Sequence, residues 1–427
     1  MRSPWQLVEV ILKRLLRALI LLLVRLYGVP GTRAAAREAR ATAPDAPRIL
    51  LIRPDHLGDL VLTTPVLDAL KQHAPNAHIS MMVGPWSSEI VARHVAIDRL
   101  LVLPFPGFRR ASQNPLAPYA LLASAAKQVR RGNYDLAINL RPDFWWGAAL
   151  IYLAAIPRRV GYAPRPGAVF LTRALPFQTP ELASVSNLRL ASAGLQTLGY
   201  APLAEPYTPE MYPLDFHPGA EERKQVADRL KSAGIEEETP VIIIHAGTGG
   251  AVKLWRNEAW STCAGKVVKL VSARLTNCTP ARIILTGSRN ERPMLEEIAS
   301  GMADLAEAVI YTDLTVGQLA ALLGRASLVL GVDNGPLHMA VAQGTPTVGI
   351  FGPTDPRIFG PWGNPERHIV VASTHRCPTC PAIPCGRLDF TPDELSMHPC
   401  VRLVTEREVL AAVERVSGAM KEESSSQ

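Results

Sequence analysis

The sequence predicts an α/β protein of two successive parallel-sheet domains behind a helical N-terminal segment. Three observations predict it. Apolar strand-like runs alternate with helical stretches in two separate sets, and a stretch rich in Pro and aromatic residues divides the sets. Residues suited to chemistry gather where apolar runs end and helices begin. At 427 residues, with 48% apolar and 19% charged side chains, the chain has a globular composition and length enough for two domains.

The N-terminal segment "WQLVEVILKRLLRALILLLVRLYG", residues 5–28, has transmembrane length, yet Glu9, Lys13, Arg14, Arg17 and Arg25 interrupt it. At helical periodicity these charges share one side, and Leu12, Leu15, Leu16, Leu19, Leu22, Leu23 and Leu26 concentrate on the other. Residues 1–48 hold nine basic and three acidic side chains, giving +6 of the total net charge of +7. A nucleic-acid binder spreads Lys and Arg over its folded surface, so this distribution argues against nucleic acid as a partner. A basic helix with a leucine face suits the plane of an anionic membrane surface, which implies peripheral attachment on the cytoplasmic side. A membrane span and a terminal helix packed on its own domain are the alternatives. A signal peptide fits poorly, because the charges do not precede one clean apolar core and no small-residue cleavage site is evident. Residues 29–46, "VPGTRAAAREARATAPDA", read as a linker.

The first alternating set has strands at Ile49–Ile52, His78–Val83 and Asp135–Leu140, with helices around Leu60–His73 and Tyr119–Arg131. The second has strands at Val241–Ile244, Arg282–Leu285, Leu328–Val332 and Thr347–Ile350. Helices near Glu258–Val271, Arg292–Ala299 and Val316–Leu323 separate these. Between the sets lies "YAPLAEPYTPEMYPLDFHPG", residues 200–219, so the domains are expected at 47–210 and 211–427, after a 1–46 extension. Ligands of open parallel sheets collect beyond the carboxyl ends of the strands, and three such junctions stand out.

The first is "RPDHLGDLVLTTP", residues 53–65. Gly58 lets the backbone come close to a ligand, and Asp59, at or just inside a helix start, can accept a proton from an attacking hydroxyl held in a cleft. Helix capping by Asp55 or Asp59 is the simpler alternative. The second is "HAGTGGAVKLWRNEAW", residues 245–260. Its Gly247, Thr248, Gly249 and Gly250 expose amides to phosphate oxygens, and Lys253 supplies a point charge. The Gly-Lys-Ser/Thr ending of a Walker loop is missing. The third is "VLGVDNGPLHMAVAQGTPTVGIFGPTDP", residues 329–356. Here a strand ends in Asp333-Asn334-Gly335-Pro336, and His338 lies in the first turn of the following helix.

Taken together, the three junctions resemble glycosyltransferase family 9, the ADP-heptose:lipopolysaccharide heptosyltransferases. "LIRPDHLGDLVLTTP", "IIIHAGTGGAVKLWRNEAW" and "DNGPLHMAVAQGTPTVGIFGPTDP" carry the resemblance in the family's order, and it covers about residues 48–415. It implies a GT-B fold, in which two Rossmann-like, doubly wound domains face a cleft. It also implies inverting transfer of a heptose or related sugar from a nucleotide sugar to a lipopolysaccharide core or other envelope glycolipid. Carried onto this chain, Asp59 is the general base and Lys253 stabilises the leaving diphosphate. Gly58 leaves space beside the base, Thr248, Gly249, Asp333, Asn334, Gly335 and His338 line the donor pocket, and Glu291 is the ribose-binding acid. The surroundings of Glu291, "GSRNERP", depart from the family's glycine-rich form. No Asp-x-Asp motif occurs, so transfer is expected to require no cofactor. A nucleotide-sugar epimerase of the same architecture and a catalytically silent membrane-attached partner of envelope assembly are the competing functions.

Four late cysteines, Cys377, Cys380, Cys385 and Cys400, are spaced Cys-x2-Cys-x4-Cys-x14-Cys. That spacing suits a zinc tetrathiolate clasping a loop at 377–400, with unligated thiols or a redox-labile pair as the alternatives. The chain is not disulfide-dense, so a reducing compartment is the default.

Overall fold

The leucine, isoleucine and valine runs become strands buried on both faces, as parallel sheets covered by helices require. The computed structural model describes residues 4–41, 45–108, 114, 116–164, 166–274, 280–302, 307–391 and 393–425. In chain order the first part contains α1 (Pro4–Ala41), β1 (Arg48–Arg53), α2 (Leu57–Val61), α3 (Thr64–His73), β2 (His78–Val83), α4 (Ser88–Val91) and β3 (Arg99–Val102). It continues with α5 (Ala117–Arg130), β4 (Leu136–Asn139), α6 (Trp145–Leu153), β5 (Arg158–Tyr162), β6 (Arg173–Leu175) and α7 (Ala183–Leu198). After residues 200–219, which carry no helix or strand, come α8 (Ala220–Ser232), β7 (Val241–His245), α9 (Asn257–Arg274), β8 (Arg282–Thr286) and α10 (Arg292–Ser300). The chain ends with β9 (Ala308–Tyr311), α11 (Val316–Arg325), β10 (Leu328–Val332), α12 (Gly335–Ala342), β11 (Thr347–Phe351), α13 (Pro356–Phe359), β12 (His368–Ala372) and α14 (Glu406–Ser425).

Two six-stranded parallel sheets result, ordered β3-β2-β1-β4-β5-β6 and β12-β11-β10-β7-β8-β9. In both, the strand order reverses beside the first strand laid down, so a crevice opens at the carboxyl ends of β1 and β4 and of β7 and β10. All three chemically loaded junctions leave strands at these places. The lobes meet directly where Arg93 pairs with Glu222 at 2.6 Å, and the segment between them is held on both sides: the Asp215 amide donates to Thr64 Oγ1 at 2.9 Å, and Trp362 Nε1 donates to the Tyr212 carbonyl at 2.8 Å.

Two expectations need correction. The helix expected at Leu60–His73 is two helices, α2 and α3, interrupted at Leu62 and Thr63. Pro65 lacks an N–H and is tolerated in the first turn of α3, where no intrahelical donor is needed. The segment expected as a linker is mostly helix, because α1 runs through Pro30 to Ala41. Thr32 Oγ1 donates to the Gly28 and Val29 carbonyls at 3.0 and 3.1 Å beside the proline, and the alanine-rich sequence beyond favours helix.

Packing settles how α1 sits. Leu21 and Val24 pack on the core around α6, Gly28 admits the Tyr152 ring, and Tyr152 Oη donates to the Arg25 carbonyl at 2.7 Å. Leu19, Leu22, Leu23 and Leu26 remain 52–60% exposed, and Tyr27 is 83% exposed. The charge and leucine faces proposed for residues 5–16, with Glu9, Lys13, Arg14, Leu12, Leu15 and Leu16, fall on side chains outside the described residues. By length and composition Arg17–Glu38 could cross a membrane.

Candidate active site

The first junction is organised by an arginine. Arg53, the last residue of β1, is buried and reaches four partners. Its Nε lies 2.8 Å from Asp55 Oδ2 and its Nη2 3.3 Å from Asp59 Oδ1, while Nη1 donates to the Leu140 carbonyl at 2.9 Å and to Asn187 Oδ1 at 3.2 Å. Arg141, from the loop after β4, pairs with the other oxygen of Asp55. Asp55 is thus a buried carboxylate held between two guanidiniums, and Asp59 is a quarter-exposed carboxylate held by one. Neither caps α2, whose N-cap is His56 without a side-chain hydrogen bond. The capping alternative therefore does not describe this junction.

Gly58 brings the lobes together. A Cβ built at residue 58 would stand 2.9 Å from His338 Cδ2 and 3.2 Å from the Gly335 Cα. One built at residue 335 would stand 3.0 Å from Leu57 Cβ and 3.1 Å from the Gly58 nitrogen. Only two facing glycines permit α2 to abut the amino end of α12. Asp59 follows directly on that contact, beside the helix end whose dipole favours negative charge.

On the second lobe Lys253, in the short turn Ala251–Lys253, extends its Nζ to Asp333 Oδ2 at 3.0 Å and to the Asp333 carbonyl at 3.1 Å. Thr354 Oγ1 donates to the same carboxylate oxygen at 2.5 Å. The carboxylate of Asp333 is thereby occupied in holding the lysine. Asn334 accepts from the Leu337 amide at 3.0 Å, capping α12, and its Nδ2 donates to the Gly247 carbonyl at 2.8 Å. This side chain ties the third junction to the second. Thr248 is partly buried and Gly249 exposed at the rim, where no atom approaches the Cβ position of Gly249. Glu291 closes the far side. Its Oε2 accepts from the Ser288 amide and hydroxyl at 2.7 Å, and its Oε1 would lie 2.1 Å from a Cβ at Gly247.

Two histidines sit beneath this surface. His245 at the end of β7 bonds Thr286 Oγ1 at 2.9 Å, whereas His338 Nδ1 is buried without a hydrogen-bond partner among the described residues. Burial pushes each down to about 4, as it does His368. Unfolding exposes these imidazoles, which then protonate near their ordinary value of about 6.5. The stability contributed by the neutral rings is complete above pH 6.5 and is lost as pH falls from 6.5 toward 4. The melting temperature should therefore drop by on the order of several degrees across that window. Thermal unfolding followed by circular dichroism checks this, and a flat profile would contradict it.

The cysteine loop packs on the segment after β11, where a Cβ at Gly352 would stand 3.3 Å from Cys400 Sγ. Ligand atoms of Cys377, Cys380 and His398 all lie within 4.8 Å of one another, with Cys380 Sγ 3.4 Å from His398 Nδ1. A histidine thus joins the cysteines, and Cys385 interacts with Cys380 beside it. Cys400 remains adjacent, interacting with Cys377 and packed on Gly352, and Cys385 lies 4.0 Å from the Arg387 carbonyl. No disulfide occurs among the described residues.

Arg53, Asn187, Thr354 and His398 were not singled out from the sequence. Thr354 stands within the quoted third motif and His398 two residues before Cys400, so a signal existed for both. Asn187 lies 134 residues from Arg53 and gave none.

Comparison with known proteins gives the fold and the family. The chain is 27% identical over 314 residues to lipopolysaccharide heptosyltransferase 3 of Escherichia coli, covering 72% of this chain and 84% of the relative. It is 27% identical over 347 residues to lipopolysaccharide heptosyltransferase 1 of Pseudomonas aeruginosa, covering 78% and 86%. In fold it is similar to a glycosyltransferase family 9 protein from Veillonella parvula, with TM-score 0.68 and 21% identity over 87% of this chain and 98% of that one. It is also similar to ADP-heptose lipopolysaccharide heptosyltransferase II of E. coli, with TM-score 0.62 and 17% identity over 88% and 99%. These likenesses, with the two parallel sheets, give the fold as GT-B. The model of glycosyltransferase family 9 (heptosyltransferase) matches residues 122–385, and the chain belongs to that family.

Proposed function

We propose that this heptosyltransferase moves a heptose from ADP-heptose to a lipopolysaccharide core acceptor, with inversion at the anomeric carbon. The observation that carries the reading is the Gly58–Gly335 contact, which sets a carboxylate-bearing junction of one lobe against the amino end of α12 on the other. In this reading Asp59 takes the proton of an acceptor hydroxyl as that oxygen bonds to the anomeric carbon. The bond from that carbon to the diphosphate oxygen breaks, and the electron pair leaves with ADP. Lys253 and the end of α12 offset the charge that develops on the leaving group. Thr248, Gly249, Asn334, Gly335 and His338 line the donor pocket, with Asp333 fixing the lysine and Glu291 facing the ribose. A screen of ADP-heptose against UDP-sugars, with truncated-core lipopolysaccharide as acceptor and mass detection, tests the reading. Extension of the glycolipid by one heptose is expected. Epimerised donor, or no product with any donor, would favour the competing functions instead.

The exposed leucines of α1 support attachment of the enzyme to the cytoplasmic face of an anionic membrane. Flotation of the full chain with phosphatidylglycerol vesicles, compared with a chain lacking residues 1–30, tests this; equal partition of the two would refute it.

The Cys377–Cys380–His398 group has the soft sulfur and imidazole donors of a structural zinc site, completed by Cys400 or Cys385. Such an ion would brace the donor pocket, because the Gly386 amide donates to the Pro353 carbonyl at 2.7 Å and Thr354 in turn holds Asp333. One equivalent of zinc in metal analysis of purified protein is expected, with loss in Cys380→Ser and a KM for ADP-heptose raised about tenfold after chelation. Protein purified without metal and fully active would exclude the clasp.

A further inference from the structure

A second concave site lies on the N-terminal lobe, on the α1 side of the Asp59 junction. It is a cavity of about 430 Å³ between α1, the loop after β3, the start of α5 and the β4–α6 loop, lined by Arg17, Phe108, Tyr119, Arg141, Asp143 and Trp145. Its polar groups differ in what they have left to offer. Arg141 is paired with Asp55 and, at 2.8 Å, with Asp143, and its guanidinium lies 5.1 Å from the centre of the Phe108 ring. Arg17 lies 4.7 Å over the Trp145 ring, and its Nε is buried with no hydrogen-bond partner among the described residues. A guanidinium held on an aromatic face with an unmet donor is suited to an anionic group. Tyr119 and Trp145, with ring centroids 6.3 Å apart, offer apolar faces of the kind on which pyranose rings stack.

The source of the occupant follows from the helix. The helix that supplies Arg17 carries Leu19, Leu22, Leu23 and Leu26 half exposed on its opposite side, so the cavity stands about one helix diameter (~10 Å) from a bilayer those leucines enter, within reach of the saccharide of an occupant rooted there. The opposite wall connects to the reaction centre through a chain of ion pairs: Arg141 to Asp55, Asp55 to Arg53, and Arg53 to Asp59.

We propose that this cavity binds the phosphorylated saccharide of the membrane-embedded acceptor, with Arg17 engaging its anionic group and Trp145 and Tyr119 stacking on its sugars. The inference rests on the membrane and acceptor readings above and deepens them. α1 then contributes a recognition residue, so membrane attachment and acceptor selection share one helix.

The test measures binding without a sugar donor, so its result is independent of turnover. The probe is truncated-core lipopolysaccharide, intact or phosphatase-treated, in phosphatidylethanolamine–phosphatidylglycerol vesicles, with glycolipid-free vesicles as reference. The full chain should bind the intact glycolipid about tenfold more tightly than the treated one. Arg17→Ala should erase that preference, and Arg17→Lys, which keeps the charge and the helix, should retain part of it. Trp145→Ala should weaken both glycolipids alike. A preference that survives Arg17→Ala, is lost equally in Arg17→Lys, or changes by the same factor on glycolipid-free vesicles overturns the proposal. Absence of turnover with ADP-heptose, with this binding pattern intact, would overturn the transfer reading and leave the site standing.

Discussion

Replacement of Asp59 by asparagine is expected to lower kcat by about 10²–10⁴-fold, the usual contribution of a positioned general base. Asparagine keeps the size of the side chain and can still accept from Arg53 Nη2, now 3.3 Å from Asp59 Oδ1, but it cannot take a proton from a hydroxyl. Three readouts separate this from a structural effect. The dissociation constant for ADP-heptose should stay within about threefold, because Asp59 belongs to the opposite lobe from Lys253. The melting temperature should change little, because Asp59 is a quarter exposed and Arg53 keeps Asp55, Asn187 and the Leu140 carbonyl. Asp59→Glu, which keeps a carboxylate, should recover part of the lost kcat. Turnover within threefold of the parent would remove Asp59 from the chemistry.

Lys253→Ala should show two effects of different origin. Loss of the cation proposed to face the diphosphate is expected to lower kcat by about 10²–10³-fold, the scale of removing one transition-state charge partner. Separately, the Asp333 carboxylate, 7% exposed, would keep Thr354 alone as a charged or hydroxyl hydrogen-bond partner among the described residues. Stranding one member of a buried pair destabilises by about 3–5 kcal/mol. The double variant Lys253→Ala/Asp333→Asn removes the stranded charge, so it should recover most of the melting temperature and none of the kcat. If it recovers both, Lys253 serves only to neutralise Asp333. If neither single change affects kcat, the diphosphate is held elsewhere.

The two sheets were legible because a parallel strand buried on both faces must be a short run of Ile, Val and Leu, and Ile242–Ile244 and Ile49–Ile52 are such runs. Edge strands were not. β3, with Arg99 and Val102 exposed, and the three-residue β6 contain little that separates them from loop. Helix α1 escaped in part because Pro30 and Gly31 suggest a break, whereas in the fold Gly28 and Gly31 are small so that the helix can seat on Tyr152 and Ala155. The cysteine spacing was visible, but spacing along a chain does not say which side chains converge, and His398 joined the group through the fold of residues 377–400.

By itself the sequence determined the class of fold, the family resemblance, and the residues at three strand-to-helix junctions. All of these are local: a buried strand, a glycine-rich turn and a helix start are each written within a dozen residues. Only the tertiary structure decided what those residues face. Asp59 is held by an arginine that also reaches Asn187, Asp333 spends its carboxylate on Lys253, and Gly58 and Gly335 touch across 277 positions because neither has a side chain to prevent it. Such pairings depend on how two sheets twist and dock, a property of the whole packed chain that no short window of sequence contains.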